Sequence, residues 1–92
     1  MDIADWRKRI NEIDRMLVEL LNERTRCAIE IGRLRHSKGG DLSDPAREQE
    51  VLAHVRQATQ GPLDPDAVQR LFERIIAEAR RAAKLATAKR KR

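Results

Sequence analysis

Apolar residues in the first part of the chain recur at steps of three and four: Ile3, Trp6, Ile10, Ile13, Leu17, Leu20, Cys27, Ile31 and Leu34. That spacing predicts one long amphipathic helix from about Ile3 to Lys38. Asp2 is placed to cap it, Asp5 falls in the first turn where a negative charge is favoured, and Gly39-Gly40 stops it. A second helix is signalled by Asp44-Pro45, with Asp as cap and Pro at the first helical position. Its inward residues are expected to be Ala46, Val51, Leu52 and Val55, and it ends before Gly61-Pro62. Asp64-Pro65 repeats the start signal. A third helix then runs through Val68, Leu71, Phe72, Ile75, Ile76, Ala79, Ala82 and Ala83. Nothing alternates with the two-residue period of a strand, so the expected fold class is all-α, with one very long N-terminal helix and two shorter ones. Residues 1–83 read as one helical domain and 84–92 as a basic, disordered tail.

Composition narrows the possibilities. Hydrophobic residues are 40% of the 92 positions, too many for a disordered chain, while aromatics are 2%. No apolar run approaches the roughly 20 residues that cross a bilayer, and no signal-peptide pattern opens the chain. The single cysteine, Cys27, has no partner for an internal disulfide, and the expected setting is the reducing cytoplasm. The net charge of +5 is carried by Lys84, Lys89, Arg90, Lys91 and Arg92, because the acidic residues before position 84 are balanced by as many Lys and Arg. A basic end of this kind is a solvated tail; nucleic-acid binders spread cations over a folded face. Neither a nucleic acid nor a membrane is an expected partner.

Length bears on assembly. A helix from Ile3 to Lys38 is roughly 54 Å long, whereas a compact chain of this size has a diameter of about 30 Å. The helix overhangs any globule its own chain builds, and its apolar seam continues along the overhang. Antiparallel pairing with the same helix of a second copy covers that seam, so a homodimer is expected.

Two residues break the seam. At about 100° per residue, Arg24 falls about 20° from Leu17 and Arg35 directly in line with it. Arg7 sits at the edge of the same arc, whereas Lys8, Arg15, Arg26 and Arg33 cluster on the opposite face. A guanidinium stays charged in a protein, and burying it without an anion costs several kcal/mol. Either each pairs with a carboxylate such as Asp14 or Glu48, or snorkels to the rim, or the two line a cationic cavity that holds a small anionic ligand. The first turn of the second helix adds Asp44, Arg47 and Glu48. Arg47 is a further anion contact and Glu48 an acceptor for a ligand hydroxyl, unless Asp44 serves only as a cap and the other two face solvent. His36, His54 and Cys27 lack metal-ligand spacing, Ser37 and Ser43 lack Ser-His-acid logic, and Gly39-Gly40 is a helix stop rather than a phosphate loop. No metal or cofactor is expected, and Cys27 reads as a core residue.

The order of these features resembles the all-helical chorismate mutases, the AroQ class. The resemblance is carried by Arg7, Ile10, Ile13-Asp14, Leu20-Leu21-Asn22-Glu23-Arg24 and Ala28 with Gly32-Arg33-Leu34-Arg35. It continues through Asp44-Pro45-Ala46-Arg47-Glu48, Gly61-Pro62-Leu63-Asp64 and Leu71-Phe72-Glu73-Arg74-Ile75-Ile76. It implies an intertwined homodimer of three-helix chains with two equivalent sites, each taking one arginine from the partner chain. By position that arginine is Arg7. Arg24 and Arg47 bind substrate carboxylates, Asp44 and Glu48 contact the ring hydroxyl, and Arg35 stands where a lysine usually reaches a carboxylate and the ether oxygen. Arg24, Arg35 and Glu48 are the implied catalytic residues. The implied reaction is the rearrangement of chorismate to prephenate in phenylalanine and tyrosine biosynthesis, which needs no nucleophile, metal or cofactor.

Two positions depart from the family. Arg35 is longer and planar where a lysine is usual. Ala83 occupies the place of a Gln or Glu that donates to the ether oxygen, and Ala79, one turn earlier, replaces a frequent Ser. Losing one preorganised donor costs about 10²–10³ in rate, so reduced mutase activity is expected. The alternatives are an isochorismate-pyruvate lyase, an aminodeoxychorismate mutase, or a silent mutase-like dimer with a binding or regulatory role.

Overall fold

The computed structural model describes residues 1–40 and 43–90, and its described residues form three helices with no strand. They are α1 (Ile3–Ser37), α2 (Pro45–Ala58) and α3 (Pro65–Arg90). Each begins on an aspartate whose carboxylate accepts a backbone N–H three residues on: Asp5 N–H to Asp2 at 2.9 Å, Arg47 N–H to Asp44 at 3.2 Å and Ala67 N–H to Asp64 at 2.8 Å. At α1 the cap is reciprocal, because the Asp2 N–H also donates to the Asp5 carboxylate at 3.0 Å. Caps of this kind contribute about 1 kcal/mol each. The far end of α1 closes with the Gly40 N–H on the Arg35 carbonyl at 2.7 Å and the Gly39 N–H on the His36 carbonyl at 3.0 Å. That Schellman closure needs a left-handed residue, and Gly39 supplies it with φ +78°.

α3 is the hub and packs against both α1 and α2. Its contact with α2 is fastened at one end by Arg56 Nη1, which donates to Asp66 at 2.7 Å and to Gln69 at 2.9 Å. The Asp66 carboxyl is held below its ordinary pKa of 3.8, first by that side-chain hydrogen bond and then by the charge of Arg56. Leu52 and Val55 of α2 and Ala79 and Ala83 of α3 are the buried apolar side chains among the described residues.

The single chain is far from a globule. Its radius of gyration is 16.3 Å, against about 12 Å for a compact chain of this length, and its extents are 54 × 29 × 14 Å. α1 spans the longest axis, and the only residue it buries is Gly32. Its seam stays in the open: Trp6 is 56% exposed, Leu17 50% and Leu20 60%.

Two expectations need correction, and one apolar residue of α3, Leu71, lies in the open. Residues 84–90, expected as part of a disordered tail, continue α3 as far as Arg90, while 91 and 92 lie outside the described residues. The run Lys84-Leu85-Ala86-Thr87-Ala88 is rich in helix formers. Ala46, expected to face inward, is exposed because it lies in the first turn of α2, outside the contact with α3. Leu71 is 54% exposed because α3 has more apolar surface than this chain's two other helices cover.

Candidate active site

The cavity lies where the last turns of α1, the first turns of α2 and the second half of α3 converge. It encloses about 300 Å³, the lower end of the range for small-molecule sites. α1 contributes Arg24, Cys27, Ala28, Ile31, Gly32 and Arg35 at steps of three and four, so they form one stripe of the helix. α2 contributes Asp44, Arg47, Glu48 and Val51, and α3 contributes Ile76, Ala79, Arg80 and Ala83. The structure therefore brings together Arg24, Arg35, Asp44, Arg47, Glu48, Ala79 and Ala83, each singled out from the sequence.

Their partners differ. Arg35 Nη1 donates to Asp44 Oδ2 at 2.7 Å, a tie between the end of α1 and the start of α2. Asp44 thus caps α2 and anchors an arginine at once. Its carboxyl pKa is lowered from 3.8, first by the backbone N–H of Arg47 and then by the Arg35 hydrogen bond. A lowered carboxyl pKa places the tie in force at neutral pH and releases it only as acid carries the solution below that value. Arg47 lines the cavity, reaches Glu50 at 3.2 Å and remains 67% exposed. Arg24 is half-buried and has neither a hydrogen bond nor an ion pair among the described residues. Neither Asp14 nor Glu48 neutralises it.

Glu48 is taken instead by Arg80, whose Nη2 donates to both carboxylate oxygens across the gap between α2 and α3. Arg80 was not singled out from the sequence, where it sits in an ordinary charged stretch beside Arg81. The available signal is its place with Ile76, Ala79 and Ala83 at three- and four-residue steps, on the apolar arc of α3. Four guanidinium groups against two carboxylates leave the lining with two surplus positive charges. Such a lining is matched to a small dianion with a hydroxyl group, the anionic groups to the arginines and the hydroxyl to a carboxylate.

The residues matched by the model of one family, chorismate mutase type II, are 6–84. The chain belongs to that family. Bifunctional chorismate mutase/prephenate dehydratase from Pseudomonas aeruginosa is 40% identical over 75 residues, 76% of this chain and 20% of that protein. The chain thus spans about a fifth of the length of that relative. Chorismate mutase from Methanocaldococcus jannaschii is 31% identical over 55 residues, 60% of this chain and 56% of that one. Among solved structures, form II of chorismate mutase from Thermus thermophilus superposes with a TM-score of 0.86 at 33% identity, covering 89% of this chain and 93% of that one. The family resemblance drawn from the motifs and the all-α class drawn from the periodicity therefore both hold.

Within this chain, Arg7 stands apart from the cavity. It is exposed and lies 17 residues before Arg24 on one straight helix, about 25 Å away. Cys27, expected in the core, lines the cavity instead and is exposed. Lys84 is exposed and does not line the cavity, so it does not stand in for Ala83. Among the described residues no His, Cys, Asp and Glu cluster is arranged to hold a metal ion, and no helix is long and apolar enough to cross a membrane.

Proposed function

We propose that this chain is a chorismate mutase, an isomerase that rearranges chorismate to prephenate in aromatic amino acid biosynthesis. The observation that carries the reading is the cluster of Arg24, Arg35 and Arg47 around one cavity with Asp44 and Glu48, in a chain of the type II mutase family. In this reading Arg24 and Arg47 grip the two carboxylates of chorismate, and Arg35 reaches a carboxylate and the ether oxygen. Glu48 and Asp44 accept from the ring hydroxyl, and Ala79 and Ala83 form the wall behind the ring.

The reaction is unimolecular. The ether C–O bond breaks while a C–C bond forms between the terminal methylene of the enolpyruvyl arm and the ring carbon bearing the carboxylate. Three electron pairs move around a six-membered ring, and no proton enters or leaves. What the protein supplies is confinement of a flexible dianion in its reactive shape, and positive charge beside the oxygen that becomes electron-rich. The residues named for these tasks need no metal or cofactor.

The working unit is a homodimer in which the exposed seam of α1 pairs with that of a second copy, and Arg7 of each copy completes the other's site. Support comes from the exposure of Trp6, Ile10, Leu17 and Leu20, an apolar stripe that a lone chain leaves in water. The setting is the cytoplasm, in keeping with the unpaired Cys27.

The purified full chain, given chorismate alone, is expected to consume its diene absorbance and to yield prephenate in equal amount. Release of pyruvate instead would make it a lyase. Tight binding of a bicyclic transition-state analogue without turnover would make it a silent dimer.

A further inference from the structure

We propose that Arg80 is a catalytic residue of this site, donating a hydrogen bond to the ether oxygen of chorismate as its bond to the ring breaks. The inference rests on the mutase reading above and adds to it the group that α3 supplies.

Of the residues α3 turns toward the cavity, Ile76, Ala79 and Ala83 carry no polar side-chain atom, so every side-chain hydrogen bond from that wall comes from Arg80. Its guanidinium is already in place, because Nη2 donates to both oxygens of Glu48. Its Nε is buried and has no hydrogen-bond partner among the described residues. A desolvated, unpaired donor on a charged group is costly to fold around, and native structures keep few of them. Nε is closed to a ligand as it is to solvent, but the side chain that carries it lines the cavity between two alanines, and its Nη1 makes no hydrogen bond among the described residues.

The substrate's own geometry fixes what Arg80 meets. Chorismate carries its hydroxyl and its ether oxygen on adjacent ring carbons. If Glu48 accepts from the hydroxyl, a guanidinium clamped on Glu48 stands beside the neighbouring ether oxygen. Bond breaking transfers electron density onto that oxygen, and a fixed cation in a dry pocket stabilises it without reorganising. The charge balance agrees: without Arg80 the lining would hold one surplus positive charge, and with it two, the number a dicarboxylate brings. Arg80 thus makes good the donor that is missing at Ala83.

The test uses the whole 92-residue chain and compares steady-state constants with melting temperature. Arg80→Met keeps the length and packing of the side chain and removes every donor. It is expected to lower kcat by about 10²–10³, with a smaller rise in KM. Arg80→Lys retains a charge for Glu48 but has no second arm for the ether oxygen, and is expected to lose at least about tenfold in kcat. Adding Ala83→Gln to Arg80→Met places an amide one turn further along α3, and is expected to recover at least about tenfold. A structural role would lower the melting temperature and would not be repaired by the glutamine. If Arg80→Met keeps kcat within about threefold of the parent, or loses it without recovery from Ala83→Gln, the proposal fails while the mutase reading stands. Should Arg80→Met not fold, a parental kcat in Arg80→Lys overturns it. A parent protein that does not turn over chorismate overturns both.

Discussion

Arg24→Ala is expected to lower kcat/KM for chorismate by about three orders of magnitude, roughly 4 kcal/mol of transition-state binding. The size follows from its surroundings. Arg24 lines the cavity, is half-buried and has no carboxylate of its own among the described residues, so its interaction energy is held for a ligand anion. Removing it leaves a substrate carboxylate desolvated and unpaired, the expensive outcome for a buried charge. The same variant is expected to keep or slightly raise the melting temperature. In the empty site Arg24 shares a small cavity with three other guanidinium groups, and deleting one relieves repulsion. Loss of activity together with unchanged stability identifies a ligand contact. Full activity in Arg24→Ala removes the residue from the site.

Leu17→Glu is expected to split the dimer and abolish turnover. Leu17 is at the centre of the α1 seam and is 50% exposed in the single chain. A carboxylate there remains hydrated in a monomer but is stripped of water in a paired interface, at several kcal/mol per copy. Sedimentation is expected to show a particle of half the mass. Activity is expected to fall below detection, because a lone chain leaves Arg7 about 25 Å from its own cavity. A stable dimer with parental turnover would mean that the seam pairs with nothing essential.

The parts of the structure that were readable in the sequence are those governed by local rules. Asp2, Asp44 and Asp64 announce three helix starts because an aspartate carboxylate caps whatever follows it, and Pro45 and Pro65 fix the first turn. Arg24 and Arg35 stood out because a guanidinium on an apolar stripe demands an anion. The rest depends on which helix faces which, and no single-helix pattern carries that. Cys27 is an apolar position on the α1 seam, and periodicity alone could not tell a cavity wall from a core. Arg80 and Arg81 look alike in sequence, yet one turns into the cavity beside Glu48 and the other pairs with Glu78 at the surface. The Lys84–Arg90 stretch was judged by its charge, when its alanines and leucine are what keep it helical.

In the proposed dimer each site is shared, with Arg24 from one copy and Arg7 from the other, and this sharing is open to direct test. It is tested by combining two crippled proteins. Arg7→Ala and Arg24→Ala are each expected to be nearly inactive alone. Unfolded together in equal amounts and refolded, half of the dimers are mixed, and each mixed dimer has one site with both arginines and one with neither. Turnover is then expected to return to about a quarter of the parental value, by the statistics of random two-fold pairing. If the mixture stays as inactive as its components while mixed dimers are present, both arginines act within one chain or not at all, and the shared site does not exist.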